Sequence, residues 1–243
     1  MTNYPILEIC VETLEAALAA ELGGADRIEL CQELSVGGVT PSAELMREVR
    51  TNVDVPVFAM IRPRCGEFCY TAEEFEQMVR DLESAKECGM NGAVLGILRA
   101  DHSVDIERTR ALVEMARPLP VTFHRAFDET TDLRVALGKV MATGAARVLT
   151  SGGKPSAEQG AAEIAALVAA GGEKIGVVCG GGINSANLER VVQMTRALEF
   201  HTGLSTVLPY PRSNHEAFEE EVRKLAELLK KPTLSARMVQ EQA

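Results

Sequence analysis

The segment Thr122-Phe123-His124-Arg125-Ala126-Phe127-Asp128 decides the predicted fold, because a short apolar run stops here at polar and charged residues and a helical segment follows. The same change, from a short apolar run to polar residues and then a helical segment, recurs along the chain. An alternation of strand-length and helix-length segments is typical of βα units that build a parallel sheet. Eight strands are predicted, at residues 6–10, 27–31, 55–62, 92–98, 120–124, 147–150, 174–179 and 199–201.

Eight such units in 243 residues predict a single (β/α)₈ TIM barrel, a fold that is typically about 250 residues long. A doubly wound sheet is the rival, but it usually has fewer strands and a glycine-rich first turn. The first turn here, Cys10-Val11-Glu12-Thr13, has no glycine. We therefore expect one barrel domain over residues 1–230, followed by a polar tail over 231–243, with the chemistry at the carboxyl ends of the strands.

Helix signals support this map. Apolar spacing and capping residues predict helices at 13–22, 71–88, 105–117, 132–143, 156–169, 184–195 and 216–230, and a further helix that opens at Thr40-Pro41. Thr71 and Glu74 have the spacing of a capping box. The proline-rich residues 204–215 predict a long loop after the eighth strand.

Composition excludes several functional classes. The formal net charge is −10, from 35 acidic and 25 basic side chains, and the basic residues are scattered, which argues against a nucleic-acid partner. No secretory signal and no apolar window of about 18 residues is present, so we expect a cytoplasmic protein without a membrane segment. Six cysteines in such a chain are expected to be thiols.

Alternation within the first two strands predicts which side chains point into the barrel. Neighbouring residues of a strand face opposite sides, so Glu8 and Cys10 share one face of the first strand. Glu29 and Cys31 share the equivalent face of the second strand, 21 residues further along. If the apolar faces meet the helices, two carboxylates and two thiols point inward.

Buried carboxylates require cations or protons, and Arg62 and His124 are the candidates. His124 can titrate near neutral pH, and the flanking Arg125 and Asp128 could orient or tune it for general acid/base catalysis. Two alternatives remain open. The polar residues could form a layer of ion pairs that only fills the barrel, and the histidine could only hydrogen-bond within the strand end.

An anion-binding site is a further prediction. Arg64, close after the third strand, carries a guanidinium suited to carboxylate or phosphate. The glycine-rich turns that contain Ser151, Gly152, Gly181 and Gly182 could present backbone N–H groups to an anion. The same glycines could simply make tight turns.

Cys10 and Cys31 form a candidate metal site. Adjacent strands lie about 4.8 Å apart, so two thiolates at these positions could hold a soft ion such as Cu(I). The alternative is a pair of ordinary buried cysteines.

Seven segments together carry a family resemblance. They are Glu8-Ile9-Cys10, Gly24-Ala25-Asp26-Arg27-Ile28-Glu29-Leu30-Cys31, Gly37-Gly38-Val39-Thr40-Pro41-Ser42, Ile61-Arg62-Pro63-Arg64, Pro120-Val121-Thr122-Phe123-His124-Arg125-Ala126-Phe127-Asp128, Arg147-Val148-Leu149-Thr150-Ser151-Gly152 and Gly180-Gly181-Gly182-Ile183. This set resembles the signature blocks of the CutC copper homeostasis family. The resemblance implies a cytoplasmic TIM barrel that is usually a homo-oligomer. It also implies a link to copper tolerance and, in some members, Cu(I) binding through cysteines at positions that Cys10 and Cys31 match.

Two functional hypotheses follow. The first is a copper homeostasis protein with Cys10 and Cys31 as Cu(I) ligands. The second is a barrel enzyme for a small anionic or sugar-like metabolite, with His124 as general acid/base and Glu8 or Glu29 as its partner. In this second hypothesis Arg62 and the late glycine turns hold the anion, and a divalent ion at the carboxylates and imidazole remains open.

Overall fold

The computed structural model describes residues 5–204, 208 and 214–231 as a closed barrel of eight parallel strands, in which each strand pairs with the next and the last pairs with the first. The predicted TIM barrel is confirmed. The strands are β1 (Ile6–Val11), β2 (Arg27–Leu30), β3 (Val57–Met60), β4 (Gly92–Leu95), β5 (Val121–Phe123), β6 (Arg147–Thr150), β7 (Gly176–Gly180) and β8 (Glu199–Thr202).

Helices cover the outside of the barrel, and each follows one strand. They are α1 (Leu14–Leu22), α2 (Ala43–Asn52), α3 (Ala72–Glu87), α4 (Ile106–Ala116), α5 (Leu133–Thr143), α6 (Ala161–Gly171), α7 (Leu188–Thr195) and α8 (His215–Lys230). Neighbouring helices contact each other, and α8 packs against α1 to close the ring. None of the helices in the described ranges is long and apolar enough to cross a membrane.

Capping residues fix where the helices begin. The predicted capping box is present at α3, where the Thr71 side chain accepts from the Glu74 N–H and the Glu74 carboxylate accepts from the Thr71 N–H. Helix α2 begins after Ser42, two residues later than predicted, because Ser42 accepts from the Leu45 N–H and serves as its cap. Thr40 instead hydrogen-bonds to the backbone of Arg62.

Two further helices, α6 and α7, begin later than predicted. Residues 156–160 form turns, and α6 starts only at Ala161. Helix α7 starts at Leu188, because the preceding turn is closed by a bond of 2.9 Å from the Asn184 N–H to the Asn187 side chain. The polar residues in these segments bond to nearby backbone groups, which favours turns over the first helical turn.

The two faces of the strands differ in polarity. Leu7 and Ile9 of β1 and Ile28 and Leu30 of β2 are fully buried in the main apolar core. The opposite face points into the barrel, and there Cys10 pairs in register with Glu29 of β2. The alternation predicted from the sequence is therefore present.

The predicted tail falls largely outside the described residues, which end at Lys231. Most of the predicted loop after β8, at residues 205–207 and 209–213, also lies outside them.

Candidate functional site

An ion-pair network fills the interior of the barrel. The fully buried Glu8 carboxylate accepts from the Arg27 guanidinium and lies 2.7 Å from His201 Nδ1. Arg27 also bonds to Glu199, and Arg147 lies 3.1 Å from the same carboxylate. The network joins β1, β2, β6 and β8.

Burial and charge act in opposite directions on this network. Burial alone would raise the pKa of Glu8, but the nearby Arg27 and His201 outweigh it and hold the pKa of Glu8 at about 2. Burial alone would lower the pKa of His201, but Glu29, its hydrogen bond with Cys10, and Glu8 raise it well above its usual value. Glu8 is therefore a carboxylate and His201 an imidazolium at neutral pH.

The predicted partners of the barrel carboxylates were wrong. Arg27 and His201, and not Arg62 and His124, provide the cations around Glu8. The signal was available, since Arg27 lies two residues before Glu29 and therefore shares its inward face. Residue 201 lies two positions after Glu199 on β8, so the same alternation applied to every strand would have found both cations.

The structure brings Cys10 and Cys31 together. Their sulfur atoms lie 3.3 Å apart, both side chains are buried, and the two cysteines do not form a disulfide. Cys10 donates to Glu29 Oε1 at 3.1 Å, and Cys31 donates to the Val11 carbonyl at 3.6 Å. His201 also hydrogen-bonds to Cys10.

The environment keeps the Cys10 thiol protonated in the absence of a metal. The hydrogen bond with Cys31, burial and the nearby Glu29 raise the pKa of the Cys10 thiol well above its usual value. Burial also raises the pKa of Glu29, against the opposing effect of His201. A metal that binds these sulfurs must therefore displace protons.

Two overlapping groups of side chains could hold a metal ion. Cys10, Glu29 and Cys31 form the first, and Glu8, Glu29 and His201 the second, with ligand atoms within 4.8 Å of one another in each group. The first group contains both sulfurs and suits a soft ion, whereas carboxylates suit harder ions. Glu8 is already bonded to Arg27 and His201, so the first group is the better candidate.

His124 is held in one orientation. Its Nδ1 accepts from the Ala126 N–H at 3.1 Å, which assigns the proton of the neutral ring to Nε2. Burial and the positive charge of Arg62 lower the pKa of His124 to about 3. Gly96 makes room for the ring, since a Cβ there would lie 2.7 Å from Nδ1. His124 is thus a neutral hydrogen-bond donor, which does not support the predicted role as a general acid/base.

Arg62 is fixed by neutral groups. Its Nη1 donates to the carbonyls of Gly37 and Gly38 at 3.2 and 3.0 Å, and its Nη2 donates to the Gly66 carbonyl at 2.7 Å. The guanidinium lies over the ring of Phe68, 4.7 Å from its centroid. Phe68 in turn lies 4.8 Å from the His124 ring.

Asp128 organises the turn after β6. The sequence predicted that it would orient or tune His124, but the two side chains are not in contact. Its carboxylate accepts from Arg125, from the Thr150 hydroxyl and from the N–H groups of Ser151 and Gly153. The Gly152 N–H donates to the Thr150 hydroxyl at 2.8 Å. The N–H groups of Ser151 and Gly152 are therefore used within the turn, which argues against their predicted role in anion binding.

Arg64 lies apart from the barrel mouth. Its guanidinium pairs with Glu74 at 2.5 Å and donates to the carbonyls of Cys65, Glu67 and Cys69. It does not line the cavity described below, so the structure does not support its predicted role in anion binding.

A cavity of about 500 Å³ opens at the carboxyl ends of the strands. Six of the predicted site residues line it, namely Cys10, Glu29, Arg62, His124, Gly181 and Gly182. Glu8 and Cys31 are bonded to lining residues but are not part of the lining themselves. Cys10 of the thiol pair therefore borders the same cavity as Arg62 and His124.

Comparison with known proteins identifies relatives over most of the chain. The model of the CutC family matches residues 5–206. A human protein named copper homeostasis protein cutC homolog is 46% identical over 199 residues, which are 82% of this chain and 73% of the relative. A CutC family protein from Vibrio campbellii is 42% identical over 221 residues, 90% of this chain and 88% of the relative. The crystal structure of a CutC protein from Streptococcus agalactiae superimposes with a TM-score of 0.78 at 30% identity, covering 82% of this chain and 98% of that chain.

Proposed function

Since this chain belongs to the CutC family, we propose that it acts in copper homeostasis by binding Cu(I) through Cys10 and Cys31. The observation that carries this proposal is the 3.3 Å distance between the two buried sulfur atoms. Soft thiolate ligands favour Cu(I) over the harder divalent ions. The relatives named for copper homeostasis support the same role.

The sulfur positions fit a metal ion after a small adjustment. A metal–sulfur bond is about 2.3 Å long, so two such bonds in a straight line would separate the sulfurs by about 4.6 Å. The observed distance is 3.3 Å, so a linear ion requires the two side chains to move apart. A bent arrangement with a third ligand requires less movement, and His201 beside Cys10 could supply an imidazole nitrogen once the imidazolium releases a proton.

We place this function in the cytoplasm, in a homo-oligomer. A reducing compartment keeps two sulfurs this close as thiols, which is the state that can receive Cu(I). The family resemblance supports the assembly of several copies.

The experiment is an anaerobic Cu(I) titration against a coloured chelator of known affinity, with wild type, Cys10→Ser and Cys31→Ser. We expect wild type to take Cu(I) from the chelator and both variants to lose this ability. Cys88→Ser is the matched control, because Cys88 is a buried thiol at the end of α3 that bonds only to the Ala43 carbonyl among the contacts described. Full affinity in both Cys10→Ser and Cys31→Ser would exclude the proposal.

A Zn(II) titration of the same proteins separates the two groups of metal-ligating side chains. Binding through the sulfurs should favour Cu(I) and disappear with either cysteine. Zn(II) binding that survives both cysteine variants but is lost in Glu29→Gln would instead indicate the carboxylate and imidazole group.

A further inference from the structure

Arg62 is a buried cation that no carboxylate neutralises within the described ranges. The residue is 5% exposed, and its guanidinium donates to the three neutral carbonyls of Gly37, Gly38 and Gly66. Its Nε is buried and has no hydrogen-bond partner among the described residues. A buried charge without a counterion is costly, so this arrangement favours the binding of a compensating anion.

His124 presents a second unused donor. Its Nδ1 is bonded to the Ala126 N–H, and the buried Nε2 has no partner in the described part of the chain. Arg62 and His124 line the same cavity, and the Phe68 ring lies next to both of them. Two fixed donors of this kind at one cavity suit an oxyanion.

We propose that the mouth of the barrel binds a small organic oxyanion, a carboxylate or a phosphate ester, which accepts hydrogen bonds from Arg62 Nε and His124 Nε2. This proposal does not depend on the proposed Cu(I) binding, and the oxyanion site needs no copper.

The cavity indicates an organic ligand of metabolite size. Its volume of about 500 Å³ is far larger than a metal ion requires and falls within the range of small-molecule pockets. Leu34, Met60 and Leu149 supply apolar lining beside the two donors. The ligand therefore combines an anionic group with a carbon skeleton that contacts these side chains.

A carboxylate and a phosphate both offer the anionic oxygens that Arg62 recognises. The glycines of the cavity lining provide a way to distinguish these two ligands. Gly181 lines the cavity with a φ of 113°, a conformation that favours glycine, and Gly182 follows it in the lining. Close backbone approach at such a turn suits the larger phosphate group. Preference for a phosphate probe over a carboxylate probe would indicate that these glycines contribute.

The experiment is isothermal titration calorimetry of the metal-free, reduced 243-residue chain with inorganic phosphate, malonate and 2-phosphoglycolate, and with glycerol as a neutral control. We expect saturable binding of at least one oxyanion and none of glycerol. Because a hydrogen bond to a charged group is lost, Arg62→Lys and His124→Asn should each weaken binding about ten-fold or more. Arg64→Lys is the matched control, because Arg64 is bonded to Glu74 outside the cavity.

His124→Asn keeps this test valid if Arg62→Lys disturbs the loops that Arg62 holds. An asparagine oxygen can replace Nδ1 as acceptor for Ala126 but cannot replace the Nε2 donor. Circular dichroism and the midpoint of thermal unfolding establish which variants are folded. The proposal is overturned if no oxyanion binds saturably, or if the folded variants bind as tightly as wild type. The protein contains no metal in this experiment, so failure of the Cu(I) proposal would leave its result unchanged.

Discussion

His201 donates a hydrogen bond of 2.7 Å from Nδ1 to Glu8 Oε1, across the junction of β8 and β1 that closes the barrel. Arg27 bonds to the same carboxylate from β2. One buried carboxylate therefore ties three strands together through two cations. Such a centre is sensitive to the loss of the Glu8 charge, because Arg27 would then keep only Glu199, and His201 only the nearby Glu29, as a negative partner.

Glu8→Gln should strongly destabilise the fold. Removing one partner of a buried ion pair typically costs about 3–5 kcal/mol, since the remaining charge stays buried. Urea unfolding followed by circular dichroism measures the loss in free energy. Glu220→Gln is the control, because Glu220 is an exposed residue of α8 whose pairing with Lys224 contributes little. Equal stability of Glu8→Gln and wild type would show that the network does not hold the barrel together.

Buried neutral His124 should make the protein less stable in acid. Its pKa in the folded protein is about 3, whereas the ordinary value of 6.5 applies to the unfolded chain. Between these values the unfolded chain binds a proton that the folded protein does not, so stability decreases as the pH falls through this range. The slope approaches about 1.4 kcal/mol per pH unit.

The His124→Asn variant isolates this contribution, because asparagine does not titrate. The difference in unfolding free energy between wild type and His124→Asn, measured from about pH 7 down to about pH 5, should shift in favour of the variant as the pH falls. A constant difference would contradict the assignment of a strongly lowered pKa to His124.

Local periodicity in the sequence predicted the barrel. Through the alternation of side chains along each strand, it also predicted the part of the site that β1 and β2 supply. Alternation along a strand depends only on local geometry, so it correctly placed Glu8, Cys10, Glu29 and Cys31 on inward faces. Alternation also places Arg27 and His201 on inward faces, but it could not predict which carboxylate each contacts, because such pairings depend on strand stagger and side-chain length. Arg27 reaches Glu199 on β8, a contact over 172 positions in the sequence.

Local sequence also misled the interpretation of His124. Proximity to Asp128 suggested a tuned catalytic pair, but the backbone after β5 turns through a short 3-10 helix, Arg125–Glu129, with His124 as its cap. That turn directs Asp128 towards β6 and uses Nδ1 for the Ala126 N–H. The turn geometry, which the sequence did not reveal, therefore decides the chemistry of the histidine.

Gly96→Ala should displace the His124 ring. The added Cβ would lie 2.7 Å from Nδ1, and a buried ring packed on Phe68 has little room to move. Overpacking of this kind costs about 1–3 kcal/mol. Gly138→Ala is the control and should raise the free energy of unfolding. Nothing lies within 4 Å of a Cβ at this position, and alanine favours the α5 helix. A Gly96→Ala protein as stable as wild type would show that the ring is not tightly held.

Asp128→Asn separates the two roles that this residue could have. If Asp128 holds the turn after β6, the amide that replaces one carboxylate oxygen loses the bond that this oxygen accepts, from the Ser151 N–H at Oδ2 or from the Gly153 N–H at Oδ1. A loss of about 1.5–3 kcal/mol in unfolding free energy is then expected, since these are hydrogen bonds to a charged acceptor. The ring resonances of His124 should remain those of a neutral ring protonated at Nε2, because Asp128 does not contact it. A change of tautomer in the variant, seen in nitrogen NMR spectra, would instead restore Asp128 as a partner of the histidine.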